Sequence, residues 1–143
     1  MNKPIYTTAQ EAEDAFYEAL ARADLEAMMQ VWSEDDEVSC IHPGGGRVCG
    51  LAAIRESWRE LFASGAHLDI HLSQTVTVLT LTMAMHQHFE YVSLESDERV
   101  PPAIPVTNIF VLGPLGWRMV THHASPPSEQ GAPSADETPR VVH

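Results

Sequence analysis

The sequence has few basic residues and no long apolar run. Eight lysines and arginines stand against 20 aspartates and glutamates, which gives a formal net charge of -12. A protein with this negative charge repels phosphate groups, so binding to nucleic acids or to anionic membrane surfaces is disfavoured. No apolar run approaches the roughly 20 residues of a membrane span, and the first residues lack the apolar segment of a secretion signal. We therefore expect a soluble, cytoplasmic protein.

Cysteine is also scarce, with only Cys40 and Cys49 in the chain. Two thiols do not make the disulfide framework of a small secreted domain. Their positions on either side of a glycine-rich turn allow one bridge, but two reduced thiols are the favoured interpretation. The length of 143 residues predicts one domain that folds without such crosslinks.

Helical signals occupy the first part of the chain and strand signals the second. Thr8 and Glu11 form a capping box ahead of a helix, and further helices are predicted over 25–32 and 51–62, with a short hairpin between them. Strands are predicted over 68–79, 82–95, 106–112 and 117–123. This order favours an α+β fold, a cone-shaped curved and mostly antiparallel sheet with three N-terminal helices packed on its concave face. The composition then changes, so we assign 1–126 to the domain and 127–143 to a flexible, acidic, proline-rich tail.

The last hairpin predicts which side chains share a face of the sheet. A turn over 113–116 and strict alternation place Asn108 opposite Thr121 on the face that meets the helices. Phe110 and His123 fall on the same face, whereas His122 points to the other one. Asn108, Thr121 and His123 are then the polar groups at one end of an otherwise apolar surface, as in many ligand pockets.

The opposite face of this hairpin is also partly apolar, at Ile109, Val111 and Val120. A solvated face of an antiparallel sheet would be more polar. We therefore expect a homodimer that packs through the outer face of the sheet.

Three stretches of the sequence carry a family pattern. They are Met-Met-Gln-Val-Trp at 28–32, Cys-Ile-His-Pro-Gly-Gly at 40–45, and the segment 116–126, where Gly-Trp-Arg runs into His-His-Ala-Ser-Pro. In these stretches the chain resembles the nuclear transport factor 2-like superfamily, in its SnoaL-like branch. The resemblance implies a ketosteroid isomerase-like cone fold that is usually dimeric. It does not imply one activity, because similar proteins include cyclases, isomerases, dehydratases and non-catalytic association domains.

A cone is too wide for its own side chains to fill, so we expect a pocket for a small apolar ligand. His42 lies at a strand end before a glycine-rich turn and is the first candidate for a proton shuttle, although a histidine that only bonds the backbone fits the same position. His123 is the second catalytic candidate. The predicted substrate contacts are Asn108, Trp32, Trp58, Phe110 and Thr121.

Glu90 shares strand parity with His86 and His88 and offers an alternative acid/base unit. The favoured interpretation of this set is a solvated sheet face or a dimer interface. The i, i+2 histidines would also suit a metal, but no motif with an accompanying carboxylate is present, so we expect neither metal nor cofactor.

The function predicted from the sequence is therefore that of a small-molecule pocket protein. Its chemistry would be cofactor-independent acid/base catalysis, of the isomerase, cyclase or dehydratase type, on an apolar carbonyl or polyketide-like substrate. The alternative is a non-catalytic, dimeric binding or association module.

Overall fold

A computed structural model describes residues 3–127, so all but the first residue of the predicted tail lies outside the described residues. The described chain forms three helices and six strands. In chain order they are α1 (Ala9–Arg22), α2 (Leu25–Val31), β1 (Ser39–Ile41), β2 (Arg47–Cys49), α3 (Leu51–Leu61), β3 (Leu68–Leu79), β4 (Met83–Leu94), β5 (Ile104–Gly113) and β6 (Gly116–Ala124).

The helix starts follow the local sequence. The Thr8 side chain accepts a hydrogen bond from the Glu11 backbone N–H at 3.0 Å, which confirms the predicted cap of α1. Ala23 ends α1 in the left-handed region, with φ 53°, and Asp24 at once caps α2 by accepting from the Ala27 N–H. The short turn lets α1 and α2 pack against each other and against the sheet.

The strands form one curved sheet in the order β2-β1-β6-β5-β4-β3. Every neighbouring pair is antiparallel except β1 with β6, which is parallel. The sheet does not close, and the three helices pack on its concave face around Phe16, Trp32, Trp58 and Phe110, all of which are fully buried. The predicted α+β cone fold is therefore confirmed. Within residues 3–127, no helix is both long and apolar enough to cross a membrane.

A β-bulge in β6 overturns the predicted facing of the last hairpin. The pairing runs regularly from the turn to Phe110 and Met119, but Ile109 then pairs with Thr121, so Val120 is an extra residue. Because side chains alternate with period two, one inserted residue moves every later side chain to the other face.

The predicted inward positions of Thr121 and His123 are therefore wrong. Asn108 lies opposite His122 and not opposite Thr121. His122 is buried beneath the helices, whereas His123 is exposed on the outer face.

A second irregularity bends β3. Its pairing with β4 shifts between Ser73 and Val76, and Gln74 adopts a positive φ of 53°. Such a break bends the strand locally, and the Thr75 hydroxyl within it lies 2.8 Å from His88 Nδ1.

The two thiols are free and lie in different environments. Cys40 is buried in β1 opposite Val48, and Cys49 is exposed and lies opposite Ser39. The interpretation of reduced thiols is correct, but only Cys40 belongs to the core.

Candidate functional site

A cavity of about 310 Å³ opens between α1, α3 and the ends of the strands. Its wall is mainly apolar and carries three titratable side chains, which are His42, Glu90 and His122. The lining residues are Leu20, Ala23, His42, Pro43, Trp58, Leu61, Phe62, Ser64, Ala66, Leu68, Glu90, Val92, Leu94, Ile104, His122 and Ala124. An apolar cavity with a few converging polar groups is the usual form of a small-molecule site.

His42 follows β1 and stands with its ring edge-on to Trp58, at 4.7 Å between ring centres. Its Nε2 lies 3.0 Å from Ser57 Oγ. Because the Ser57 hydroxyl donates its own hydrogen to the Ile54 carbonyl, it accepts from His42, and the proton of the imidazole is on Nε2. Nδ1 then carries the lone pair. Burial lowers the pKa of His42 below its usual 6.5, so the ring is neutral at neutral pH.

Glu90 projects from β4 and is 4% exposed. The Tyr17 hydroxyl, from α1, donates a hydrogen bond to Glu90 Oε2 at 2.6 Å. Burial raises the pKa of Glu90 to about 7, against the lowering effect of that hydrogen bond. Near neutral pH this carboxyl group therefore exists in both protonation states.

His122 lies on β6, and its Nδ1 is 2.6 Å from Asn108 Oδ1. The Asn108 amide nitrogen donates to Glu13 and to Tyr17, so its oxygen accepts and His122 carries its proton on Nδ1. Burial lowers the pKa of His122 to about 3. The ring is therefore a neutral hydrogen-bond acceptor through Nε2.

Behind the cavity wall the polar side chains continue into a closed cluster around Glu13, which is 1% exposed. Its Oε1 accepts from His88 Nε2 at 2.9 Å and lies 3.0 Å from His86 Nδ1, and its Oε2 accepts from Asn108. Burial raises the pKa of Glu13, but the hydrogen bonds from His88 and Asn108 outweigh it, and the pKa is lowered. This carboxylate is ionised at neutral pH.

The structure brings some of the predicted site residues together and separates others. His42 and Trp58 line the cavity. Asn108 is fully buried one layer behind it, where it bonds to His122. Trp32 and Phe110 are not among the lining residues and are fully buried in the core.

The preferred interpretation of Glu90, His86 and His88 as an outer or solvated set is wrong. All three are buried and face α1. The sequence held one unused signal for this arrangement. Glu13 and Tyr17 lie within the same helical stripe as Ala9 and Phe16, and an acid in the apolar stripe of a helix requires polar partners on the sheet.

Comparison with known proteins decides the family. Residues 10–129 match the family model described as a SnoaL-like domain. The chain belongs to the SnoaL-like family. This family lies within the nuclear transport factor 2-like superfamily, which confirms the resemblance seen in the sequence.

Two solved structures show how far the similarity extends. One, from Thiobacillus denitrificans, is described as a candidate calcium/calmodulin-dependent protein kinase type II association domain. It is 37% identical, with 87% of this chain and 99% of that chain covered and a TM-score of 0.80. The other, from Streptomyces avermitilis, is described as a candidate dehydratase of the nuclear transport factor 2-like family. It is 29% identical, with 80% and 90% covered and a TM-score of 0.72.

A curated relative is the F-box protein SKIP8 of Arabidopsis thaliana, 26% identical over 110 residues. The match covers 77% of this chain and 46% of that protein. The chain thus spans about half the length of this curated relative.

Proposed function

We propose that the protein binds a small, mainly apolar carbonyl compound of polyketide-like type in the cavity and moves a proton on it. The observation that carries this proposal is the apolar space of about 310 Å³ into which a carboxyl group and two neutral imidazoles project. A volume of this size is at the lower end of the range of small-molecule sites, roughly 300–1,000 Å³. It suits a ligand of one or two fused rings.

The roles of the side chains follow from their hydrogen bonds. Glu90 is the group that takes and returns the proton, with its carboxylate form held by the Tyr17 hydroxyl. His42 carries a lone pair on Nδ1, and His122 carries one on Nε2, as set by their bonds to Ser57 and Asn108. These imidazoles orient hydroxyl groups of the ligand or take a proton from them. Removal of a proton next to a carbonyl is the common first step of isomerisation, cyclisation by condensation, and dehydration of a β-hydroxy ketone.

A hydrogen-exchange assay tests this chemistry without knowledge of the natural substrate. A panel of aromatic and bicyclic ketones is incubated with the protein in D₂O, and deuterium uptake next to the carbonyl is measured by mass spectrometry. We expect catalysed uptake for at least one ketone that also raises the melting temperature. Glu90→Gln should abolish it, and His42→Ala should abolish or strongly reduce it.

His123→Ala is the matched control, because that histidine is exposed on the outer face of the sheet. It should exchange at the wild-type rate. Ligand binding in the cavity with no exchange above background would contradict the catalytic proposal. Equal exchange by the wild type and Glu90→Gln would contradict the role of Glu90.

A second candidate function is a dimeric association module, favoured by the structure that shares 37% identity and is described as an association domain. The outer face of the sheet fits self-association, since Ile109 and Val111 are only half-buried there and Val76 and Val78 are exposed. Light scattering of the purified chain tests it. We expect a dimer that Ile109→Glu converts to a folded monomer, and a monomeric wild type would exclude this module.

A further inference from the structure

We propose that Glu13, His86 and His88 form a binding site for a divalent first-row transition-metal ion between α1 and β4. His86 Nδ1 and His88 Nε2 lie 3.0 and 2.9 Å from Glu13 Oε1. Each of the three residues offers one ligand atom, and these atoms all lie within 4.8 Å of one another. Two imidazoles and one carboxylate are a donor set for zinc, iron and their neighbours. None of the three side chains is among those that line the cavity, so the site is separate from the proposed chemistry there.

The unusual member of the cluster is His86, which is 3% exposed. Its Nδ1 lies 3.0 Å from Glu13 Oε1, yet it makes no hydrogen bond to any of the residues 3–127. A buried ring nitrogen that makes no hydrogen bond is costly, because it has lost its hydrogen bond to water. Neighbouring ligands of one metal show this arrangement, since each points at the ion and not at the other. Bonds of about 2.1 Å at a tetrahedral angle place such ligand atoms about 3.4 Å apart, so a small outward displacement of the two histidine rings admits an ion.

The neighbours of the cluster hold two of the three ligands in position. Without an ion, His88 Nε2 donates to Glu13 Oε1. His88 Nδ1 lies 2.8 Å from Thr75 Oγ1, so the proton has an acceptor there when it moves to Nδ1 and Nε2 coordinates an ion. Asn108 donates to Glu13 Oε2 at 3.0 Å, which leaves Oε1 for the ion. Such outer partners fix the tautomer and orientation of metal ligands in characterised sites.

The irregular segment of β3 places the Thr75 hydroxyl beside His88. Thr75 lies inside the irregular segment between Ser73 and Val76, and its hydroxyl reaches His88 from there. The ion would tie α1 to the central strand β4 and neutralise the buried charge of Glu13.

Direct titration of metal into the full chain tests the proposal. The protein is stripped with EDTA, dialysed, and titrated with ZnCl₂ by calorimetry and with CoCl₂ by visible absorption. We expect one tight site per chain, a visible Co²⁺ spectrum of an ion bound to nitrogen and oxygen, and a higher melting temperature with Zn²⁺. Glu13→Gln and His86→Gln should each weaken this site at least tenfold.

His71→Ala is the matched control, because His71 is an exposed histidine on the neighbouring strand β3. It should leave the tight site unchanged. Only weak binding by the wild type, equal to that of His86→Gln, would overturn the proposal.

Imidazole ¹⁵N NMR spectra of the wild type test the same site without any variant, so the result does not depend on whether a variant folds. Zn²⁺ should shift His86 Nδ1 and His88 Nε2, and shifts confined to exposed histidines would overturn the site. The readouts need no activity, so failure here leaves the exchange assay on metal-free protein to decide the proposed function separately.

Discussion

Two carboxyl groups in the interior behave in opposite ways. Glu13 and Glu90 are 1% and 4% exposed. Asn108 donates to Glu13 and Tyr17 donates to Glu90, and a hydrogen bond from Asn108 to Tyr17 connects the two pairs. The pKa of Glu13 is lowered, whereas that of Glu90 is raised to about 7. Both groups are glutamates with little exposed surface, and they differ most clearly in the number of their hydrogen-bond partners.

Glu13 has two imidazoles and an amide around its two oxygens. Glu90 has one hydroxyl and the apolar wall of the cavity. A buried charge is stable only when its lone pairs are occupied, and otherwise the group takes up a proton. Glu13, surrounded by hydrogen-bond partners, is therefore ionised, whereas Glu90, beside the cavity, gains and loses its proton near neutral pH.

The largest expected effect comes from removing the partnered carboxylate. Glu13→Ala removes the acceptor of His88 and Asn108 and the carboxylate beside His86, and we expect a loss of about 3–5 kcal/mol in the free energy of unfolding. Urea denaturation monitored by tryptophan fluorescence measures it. Glu11→Ala is the comparison for a loss on the exposed side of the same helix. It should cost much less, since only the capping contacts of an exposed side chain are lost, and an equal loss in both variants would contradict the importance of the buried cluster.

A smaller effect, distinct in its pH dependence, is expected at Glu90. Its pKa rises from 4.5 in the unfolded chain to about 7 in the folded one, so the native state binds more protons between these values. The contribution of Glu90 to stability therefore falls by roughly 3 kcal/mol as the pH rises from about 4.5 to 7.

His122 works in the opposite direction over part of this range, because its pKa is about 3 when folded and 6.5 when unfolded. The measurement is therefore the difference between wild type and Glu90→Gln in metal-free protein, from urea denaturation at a series of pH values. Glu90→Gln should become the relatively more stable of the two as the pH rises. A difference that does not change with pH would contradict the raised pKa.

Tyr17→Phe should weaken the connection between the two carboxyl groups. It removes the donor to Glu90 and one acceptor for Asn108, at a cost of about 1–3 kcal/mol. Loss of the hydrogen bond should raise the pKa of Glu90 further, as followed by ¹³C NMR of its carboxyl group. Tyr91→Phe, on the same strand as Glu90, should change stability by less than about 0.5 kcal/mol.

The smallest effect is expected at His123, and it tests the bulge. His123→Ala should change the free energy of unfolding by less than about 0.5 kcal/mol, since the side chain is exposed. His122→Ala should cost more than 1 kcal/mol, because it opens a cavity beside Phe16 and leaves Asn108 Oδ1 without its donor. The reverse order would mean that strict alternation, and not the bulge, describes β6.

Local rules were sufficient for much of the fold. The cap at Thr8, the helix that starts after Asp24 and the turn over 113–116 follow from neighbouring residues, and each lies where the sequence predicts it. The position of His42 at the cavity also follows from a local feature, since a strand that ends at a glycine-rich turn delivers its last side chains to the rim.

The identity of the inward histidine was not predictable in this way. The bulge at Val120 makes His122, and not His123, face the helices, and the sequence around it shows ordinary strand residues. The bulge depends on how β6 pairs with β5 on one side and with β1 on the other, which no single segment determines.

The sequence alone determined which segments are helix and strand, because capping, turn chemistry and hydrophobic period act over a few residues. Only the tertiary structure decided the chemistry of the interior. Glu13 meets His88 across 75 residues of chain, and the charge state of each buried carboxyl group depends on partners gathered from α1, β4, β5 and β6. Desolvation and hydrogen bonding at these groups come from contacts between distant segments, so they exist only once the helices have packed on the sheet.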